Sequence, residues 1–196
     1  MDFESQTFDT ATFLEALASG DPSFESCEFA GCVLEGASLH GARFIDCTFS
    51  RCALLNVRLE GVAFRDATFR HSKLQGLDFS RCNAALFEVR FEDTSLSYCV
   101  FQSMDARRAS FASARVEDCE FVRTDLRKVV FKDTTLRSTR FDGCNLAGAD
   151  LRTASQYAFD PSKNKVEKAR VASPACAALL LPFGLEIDGV GRGGRT

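Results

Sequence analysis

Histidine is scarce in this chain: two residues, His40 and His71, among 196. No glycine-rich phosphate loop, nucleophile elbow or metal-ligand cluster occurs. Those absences take away the usual starting points for catalysis, for cofactor binding and for a metal centre. The chain reads as a non-enzyme with no cofactor. No run of eighteen apolar residues is present, so the sequence offers no membrane span. The start, MDFESQTF, lacks the basic and apolar regions of a secretory signal, and the chain reads as cytoplasmic. Basic residues are scattered rather than striped, which argues against direct nucleic-acid binding.

What remains is a globular composition, 45% hydrophobic and 26% charged, in a length suited to one sizeable domain. Its organisation is a period of five. Phe24, Phe29, Leu34, Leu39, Phe44, Phe49, Leu54, Leu59, Phe64, Phe69, Leu74 and Phe79 hold one frame without a miss. After Ala84 the frame slips by two residues. It restarts at Leu86 and runs through Phe91, Leu96, Phe101, Phe111 and Phe121 to Leu151. Neither a helix (3.6) nor a continuous strand (2) has this period.

The position two before each large residue is small: Cys27, Cys32, Ala37, Ala42, Cys47, Cys52. A small and a large residue separated by one polar residue point the same way in a strand. The other two residues of each unit are polar, as a corner requires. Each unit therefore reads as a three-residue strand and a tight turn, and the chain coils around its small–large pairs. In the first run the large residues follow Phe-Phe-Leu-Leu, a twenty-residue superperiod. That predicts four units per coil, about six and a half coils, and columns in which Phe stacks on Phe and Leu on Leu.

Eight of the nine cysteines (27, 32, 47, 52, 82, 99, 119, 144) take the small interior position. Three readings are open. They are core filler, disulfides between the stacked pairs 27–47, 32–52 and 99–119, or metal binding at the two C-x4-C spacings. Filler is preferred, because a reducing compartment keeps thiols free and no histidine lies nearby.

Units such as TDLRK (124–128), CNLAG (144–148) and ADLRT (149–153) resemble the A(D/N)Lxx motif of pentapeptide repeat proteins. The resemblance implies a right-handed quadrilateral β-helix, an all-β solenoid. The expected divisions are an N-terminal cap over 1–20, the β-helix over 21–155, a short helical capping or dimerisation module over 156–190, and a disordered tail over 191–196. In the cap, Asp9 or Thr10 starts a helix with Phe13, Leu14 and Leu17 on one face and Gly20 at its stop. Phe3, Phe8 and Phe13 keep the five-residue spacing, which leaves room for an extra partial coil. Beyond Leu151, where the repeat stops, KVEKARV reads as extended. Ser173 reads as the cap of a helix with Pro174 at its first position, and FGLEI as a short strand.

The stretch QYAFDPSKNKVEKARV, the helix begun by Ser-Pro and the Leu-Glu-Ile segment resemble the C-terminal part of the Qnr, MfpA and AlbG type of pentapeptide repeat protein. They depart from it at Pro182 and in lacking an acidic residue just after Pro174. The resemblance implies binding to DNA gyrase, with topoisomerase IV as a second candidate. It also implies mimicry of DNA, protection of the enzyme from quinolones or peptide-like poisons, and a tail-to-tail homodimer. The dimer contact would fall on Leu179, Leu180, Leu181, Phe183, Leu185 and Ile187.

Charge is distributed unevenly. Residues 1–60 carry ten acids against Arg43, Arg51 and Arg58, a net of −7, while 61–155 and 156–196 are each +2. An acidic end suits competition for a DNA-binding surface, and outward charge also suits any soluble solenoid. Glu25, Glu28, Glu35, Asp46 and Glu60 are the candidate partner-binding carboxylates. The slip adds Phe87, Glu88 and Arg90, taken as exposed. Two functions are thus in play: a gyrase-protecting resistance or self-immunity protein, and a repeat scaffold for another partner.

Overall fold

A computed structural model describes residues 1–185. The chain winds as a parallel β-solenoid of about seven turns, each coil having four short sides. Strands one coil apart pair in parallel with large residue on large residue. Phe24 meets Phe44, Phe29 meets Phe49, and Leu34 meets Leu54. Phe24, Phe29, Leu34 and Leu39 centre the four faces, taken in chain order.

Interior positions follow the small–large rule because one residue in each unit of five turns a corner. The corner residue two after the large one has positive φ, as at Ser26, Asp46, Arg51 and Asn56. Many of these corners are not glycine. Their side chains leave the rod, so the left-handed cost at the corner falls on residues free of packing demands. Gly41 is different. A Cβ there would lie 2.5 Å from the Asp21 carboxylate, so this corner needs glycine or a shift of that side chain.

On the second face Phe8, Phe29, Phe49, Phe69, Phe91, Phe111 and Phe131 stack in one column, with ring centres 4.5–5.7 Å apart. Neighbouring columns meet edge-on; Phe24 and Phe29 stand 5.1 Å apart at 79°. Both arrangements are favoured by the ring quadrupole, at about 0.5–1.5 kcal/mol per pair beyond burial. All nine cysteines are free thiols, and the eight at small positions are buried.

The small position is more than a space-filler. Buried backbone groups must find partners, and polar side chains here supply them. Cys32 Sγ donates to the Phe8 carbonyl at 3.4 Å, and Cys52 Sγ to that of Phe29 at 3.2 Å. Ser72 Oγ donates to Phe49 at 3.1 Å, and Thr94 Oγ1 to Phe69 at 3.0 Å. In return the Cys52 N–H donates to Ser72 Oγ at 3.0 Å, and the Ser72 N–H to Thr94 Oγ1 at 3.3 Å. The result is a ladder of side chains at the corner between the second and third faces. At Ala42, Val62, Ala114 and Val129 the corner instead closes on itself. The N–H then reaches the carbonyl three residues back at 3.0–3.2 Å.

The N-terminal end carries the partial coil. Asp2–Glu4 pairs with Ser23–Glu25 and Thr7–Phe8 with Glu28–Phe29. The helix Thr10–Leu17 stands where the third and fourth faces would be, capped by Asp9, whose side chain accepts from the Thr12 N–H at 3.0 Å. Phe13 is fully buried, its ring 4.4 Å from that of Phe29. Leu14 does not share the buried face and is 45% exposed. Phe13, Ala16 and Leu17 fill one arc at helical spacing, and Leu14 lies outside it.

The slip resolves one residue later than the sequence suggests. Asn83 caps a single turn, Ala84–Leu86, that bulges outward. Phe87, not Leu86, then takes the interior place opposite Phe64. The coil also continues past Leu151, with Lys165 bridging Asn145 and Arg170 bridging Asp150. The segment 165–170 is thus a further layer, in which Val166 packs against the core.

The C-terminal helix, Ala175–Phe183, has 3-10 geometry and follows Pro174 with no side-chain cap from Ser173. Phe183 belongs to this helix and Gly184 ends it in the left-handed conformation, so no strand forms over 183–185. Glu186 and Ile187, the rest of that expected strand, lie outside the described residues. Among the described residues no helix is long and apolar enough to cross a membrane.

Candidate protein-interaction surfaces

Because the interior is filled by stacked rings and aliphatic chains, chemistry can be displayed only on the outward residues of each unit and at the two ends. The outward residues divide by charge pairing. From Asp66 onward, most acids pair with a cation, whereas among the described residues Asp93, Asp118, Glu120, Asp133 and Glu167 form no ion pair. Arg107 grips Asp105 two residues back, and Arg127 and Arg152 repeat the grip on Asp125 and Asp150 at 2.7 Å. Each Asp-x-Arg pair flanks one interior residue, with the Asp at an isolated β-bridge and the Arg in the turn that follows, so both side chains leave the rod on the same side. The Arg152 guanidinium holds the Asp150 carboxyl down at about 2, and Arg107 holds Asp105 below its ordinary value.

Among the described residues no ion pair involves any acid of residues 1–60. Asp9 is used as the helix cap. The rest of the acidic third is uncompensated carboxylate, a feature that net charge alone does not reveal. Glu25, Glu28, Glu35, Asp46 and Glu60 are all exposed. They do not share a face. Glu25, Glu28 and Asp46 gather where the first face turns into the second, and Ser26 Oγ donates to Asp46 at 3.3 Å. Glu35 lies on the third face and Glu60 on the fourth.

The slip residues behave differently from expectation. Phe87 is buried, 5% exposed, and its ring stands 5.9 Å from that of Phe79. It belongs to the core, because the bulge absorbs the extra residues before the strand resumes. Leu86 is the exposed residue there. Glu88 pairs with Arg108 at 3.2 Å and Arg90 pairs with Asp66. Arg65, Arg107 and Arg108 line the cleft of about 290 Å³ beside the bulge.

The two ends are capped unequally. The N-terminal helix buries Phe13 and Ala16, whereas the C-terminal helix buries no residue fully. Leu179 packs against the core. Leu180, Leu181, Phe183 and Leu185 are 42–55% exposed, and Val171, at the foot of the second-face column, is 38% exposed. Ile187 lies outside the described residues. Four such side chains in six residues form an apolar patch rather than scattered exposure.

A filled four-sided rod with an unpaired acidic end, a largely ion-paired body and an apolar foot defines a solenoid protein built to present surfaces. The pentapeptide repeat region model matches residues 22–85 and 81–151, and the chain belongs to that family. No curated protein matches the sequence. A trypsin-treated form of QnrB1, a plasmid-mediated fluoroquinolone resistance protein, superposes with a TM-score of 0.61 at 15% identity, over 95% of this chain and 97% of that one. Full-length QnrB1 gives 0.43 at 15% identity, over 94% and 97%. HetL, involved in heterocyst differentiation regulation in the cyanobacterium Nostoc, gives 0.37 at 16%, over 84% and 94%. At these identities the likeness is one of fold.

Proposed function

We propose that this chain is a topoisomerase-binding protein that protects DNA gyrase, with topoisomerase IV as a second target, from a poison that traps cleaved DNA. It would act by binding rather than catalysis, in the cytoplasm, and confer antibiotic resistance or self-immunity. One observation carries the reading: the carboxylates of the N-terminal third have no cationic partners, while most of those in the remaining coils do. An uncompensated acidic end attracts a surface built for phosphates and speeds encounter with it. The fluoroquinolone resistance role named for QnrB1, a protein of the same fold, supports the choice of target. A homodimer through the C-terminal helix would place the acidic ends at the outer tips of a double-length rod.

A second reading, a scaffold for some other partner, draws on the spread of Glu25, Glu35 and Glu60 over three faces. A ring of carboxylates does not reproduce a phosphate stripe. The separating experiment is gyrase supercoiling and drug-induced cleavage with purified protein titrated in, quinolone and albicidin-type poisons side by side. Rescue of supercoiling with loss of trapped cleavage is expected, and should weaken in a Glu25→Lys, Glu28→Lys variant. Absence of rescue and of inhibition at micromolar protein favours the scaffold.

A further inference from the structure

The outward turn at Ala84–Leu86 leaves a cleft of about 290 Å³ on the first face. That is close to the lower end of small-molecule pockets, at about 300–1,000 Å³. Arg65, Arg107, Arg108, Glu88 and Asp105 line it, so three guanidiniums stand against two carboxylates. Both carboxylates are already engaged. Arg107 Nε donates to the two oxygens of Asp105 at 2.8 and 3.0 Å, and Arg108 reaches Glu88 at 3.2 Å. Asp66, next to Arg65 in the chain, pairs with Arg90. Among the described residues Arg65 forms no ion pair. Each acid beside it is held by another arginine, and its charge stands uncompensated in the cleft wall. The remaining lining is apolar. Ala84 and Ala85 are exposed, Leu86 is 40% exposed, and Phe87 completes the wall. The turn that carries them is fixed at both bonds: Asn83 Oδ1 accepts from the Ala85 N–H at 3.1 Å and its carbonyl from the Leu86 N–H at 3.0 Å.

We propose that this cleft binds a small monocarboxylate with an apolar body, its carboxylate on the Arg65 guanidinium and its body against Ala84, Ala85 and Leu86. Charge decides the class of ligand. The lining carries one positive charge in excess, which a single carboxylate matches. A phosphomonoester carries about −1.5 to −2 at neutral pH, and the surplus would face Glu88 and Asp105. Geometry agrees with charge, because the planar fork of a guanidinium fits the two oxygens of a carboxylate. Arg107 and Arg108 stay tied to their own acids and shape the cleft without adding net charge to it. The apolar body takes Leu86 out of water, which the coil packing does not do. Since the bulge is held by Asn83, little ordering is needed before the ligand enters.

The test is two-dimensional amide NMR on the full isotope-labelled chain, with benzoate titrated to about 20 mM at a constant ionic strength of about 0.15 M. Saturable shifts are expected at the amides of Ala84, Ala85 and Leu86 and at the Arg65 Nε–H. Half-saturation should fall in the millimolar range, as suits a ligand of about nine non-hydrogen atoms. Arg65→Gln should weaken binding about tenfold or more and leave melting unchanged, since the side chain is exposed and makes no ion pair. Leu86→Ser should weaken benzoate about threefold and leave acetate where it was. No saturable shift at these residues overturns the site. Benzamide binding as tightly as benzoate, or benzoate indifferent to Arg65→Gln, overturns the assignment of the carboxylate to Arg65. Acetate binding as tightly as benzoate overturns the apolar body, and inorganic phosphate binding more tightly overturns the charge match. No topoisomerase enters the assay, so these outcomes are independent of the proposed target.

Discussion

The corner ladder makes a prediction that separates hydrogen bonding from filling. Ser72 is 5% exposed. Its Oγ accepts from the Cys52 N–H at 3.0 Å and donates toward the carbonyls of Phe49 at 3.1 Å and Arg70 at 3.0 Å. Ser72→Ala keeps the volume nearly constant and strands the Cys52 N–H in the core. The cost of a buried unsatisfied donor is about 1–3 kcal/mol, or roughly 4–8 °C in melting temperature for a loss of about 2 kcal/mol at this chain length. Ser72→Cys restores the arrangement already used one coil earlier at Cys52, and should lose less than about 1 kcal/mol. Thermal and urea unfolding rank the two, and amide exchange at Cys52 should accelerate in the alanine variant alone. If Ser72→Ala melts with the wild type, the ladder contributes nothing and the small position is steric filler.

Four further outcomes are expected. Phe13→Ala should lose about 3–5 kcal/mol in urea unfolding, since the ring is wholly buried at the N-terminal end of the column; a loss below about 1 kcal/mol would make the helix a dispensable lid. Of the nine thiols only the half-buried Cys176 should react with a thiol reagent in the native state. Burial pushes the Cys47 thiol up to about 12, so even alkaline labelling should spare it until the protein unfolds. Asp150 sits at about 2 in the folded chain against an ordinary 3.8. Its contribution is therefore present above about pH 4 and lost as pH falls through about 2, and Asp150→Asn should flatten acid unfolding in that window.

The period of five made the columns legible, because a large apolar residue in every unit has one place to go. The slip was misplaced for a related reason. Leu86 and Phe87 are adjacent and both large, so either could resume the frame, and only the cap by Asn83 decides that the bulge takes Leu86. The last layer was hidden because Lys165 and Arg170 occupy outward places while only Val166 marks the interior. The ladder was missed because cysteine, serine and threonine were compared by size. Their thiol and hydroxyl donors were the available signal for the ladder, and Cys82, Thr134 and Thr139 show that a donor can also stand at a corner that closes on itself. The missing ion pairs of the acidic third could not be read from charge counts. An Asp-x-Arg spacing, present at 105–107, 125–127 and 150–152 and absent before residue 60, would have shown it.

The left-handed corners have a further consequence. Each unit splits its residues into two that pack and three that face water, and the backbone geometry at the corner is met by serine, aspartate, arginine, lysine and glycine alike. Inside and outside are therefore written in separate alphabets with little cross-talk. Surface residues can be rewritten wholesale while the rod keeps its dimensions, which is how a chain can share a fold with QnrB1 at 15% identity. In such a molecule the shape transmits ancestry, and partnership is recorded only in the outward letters.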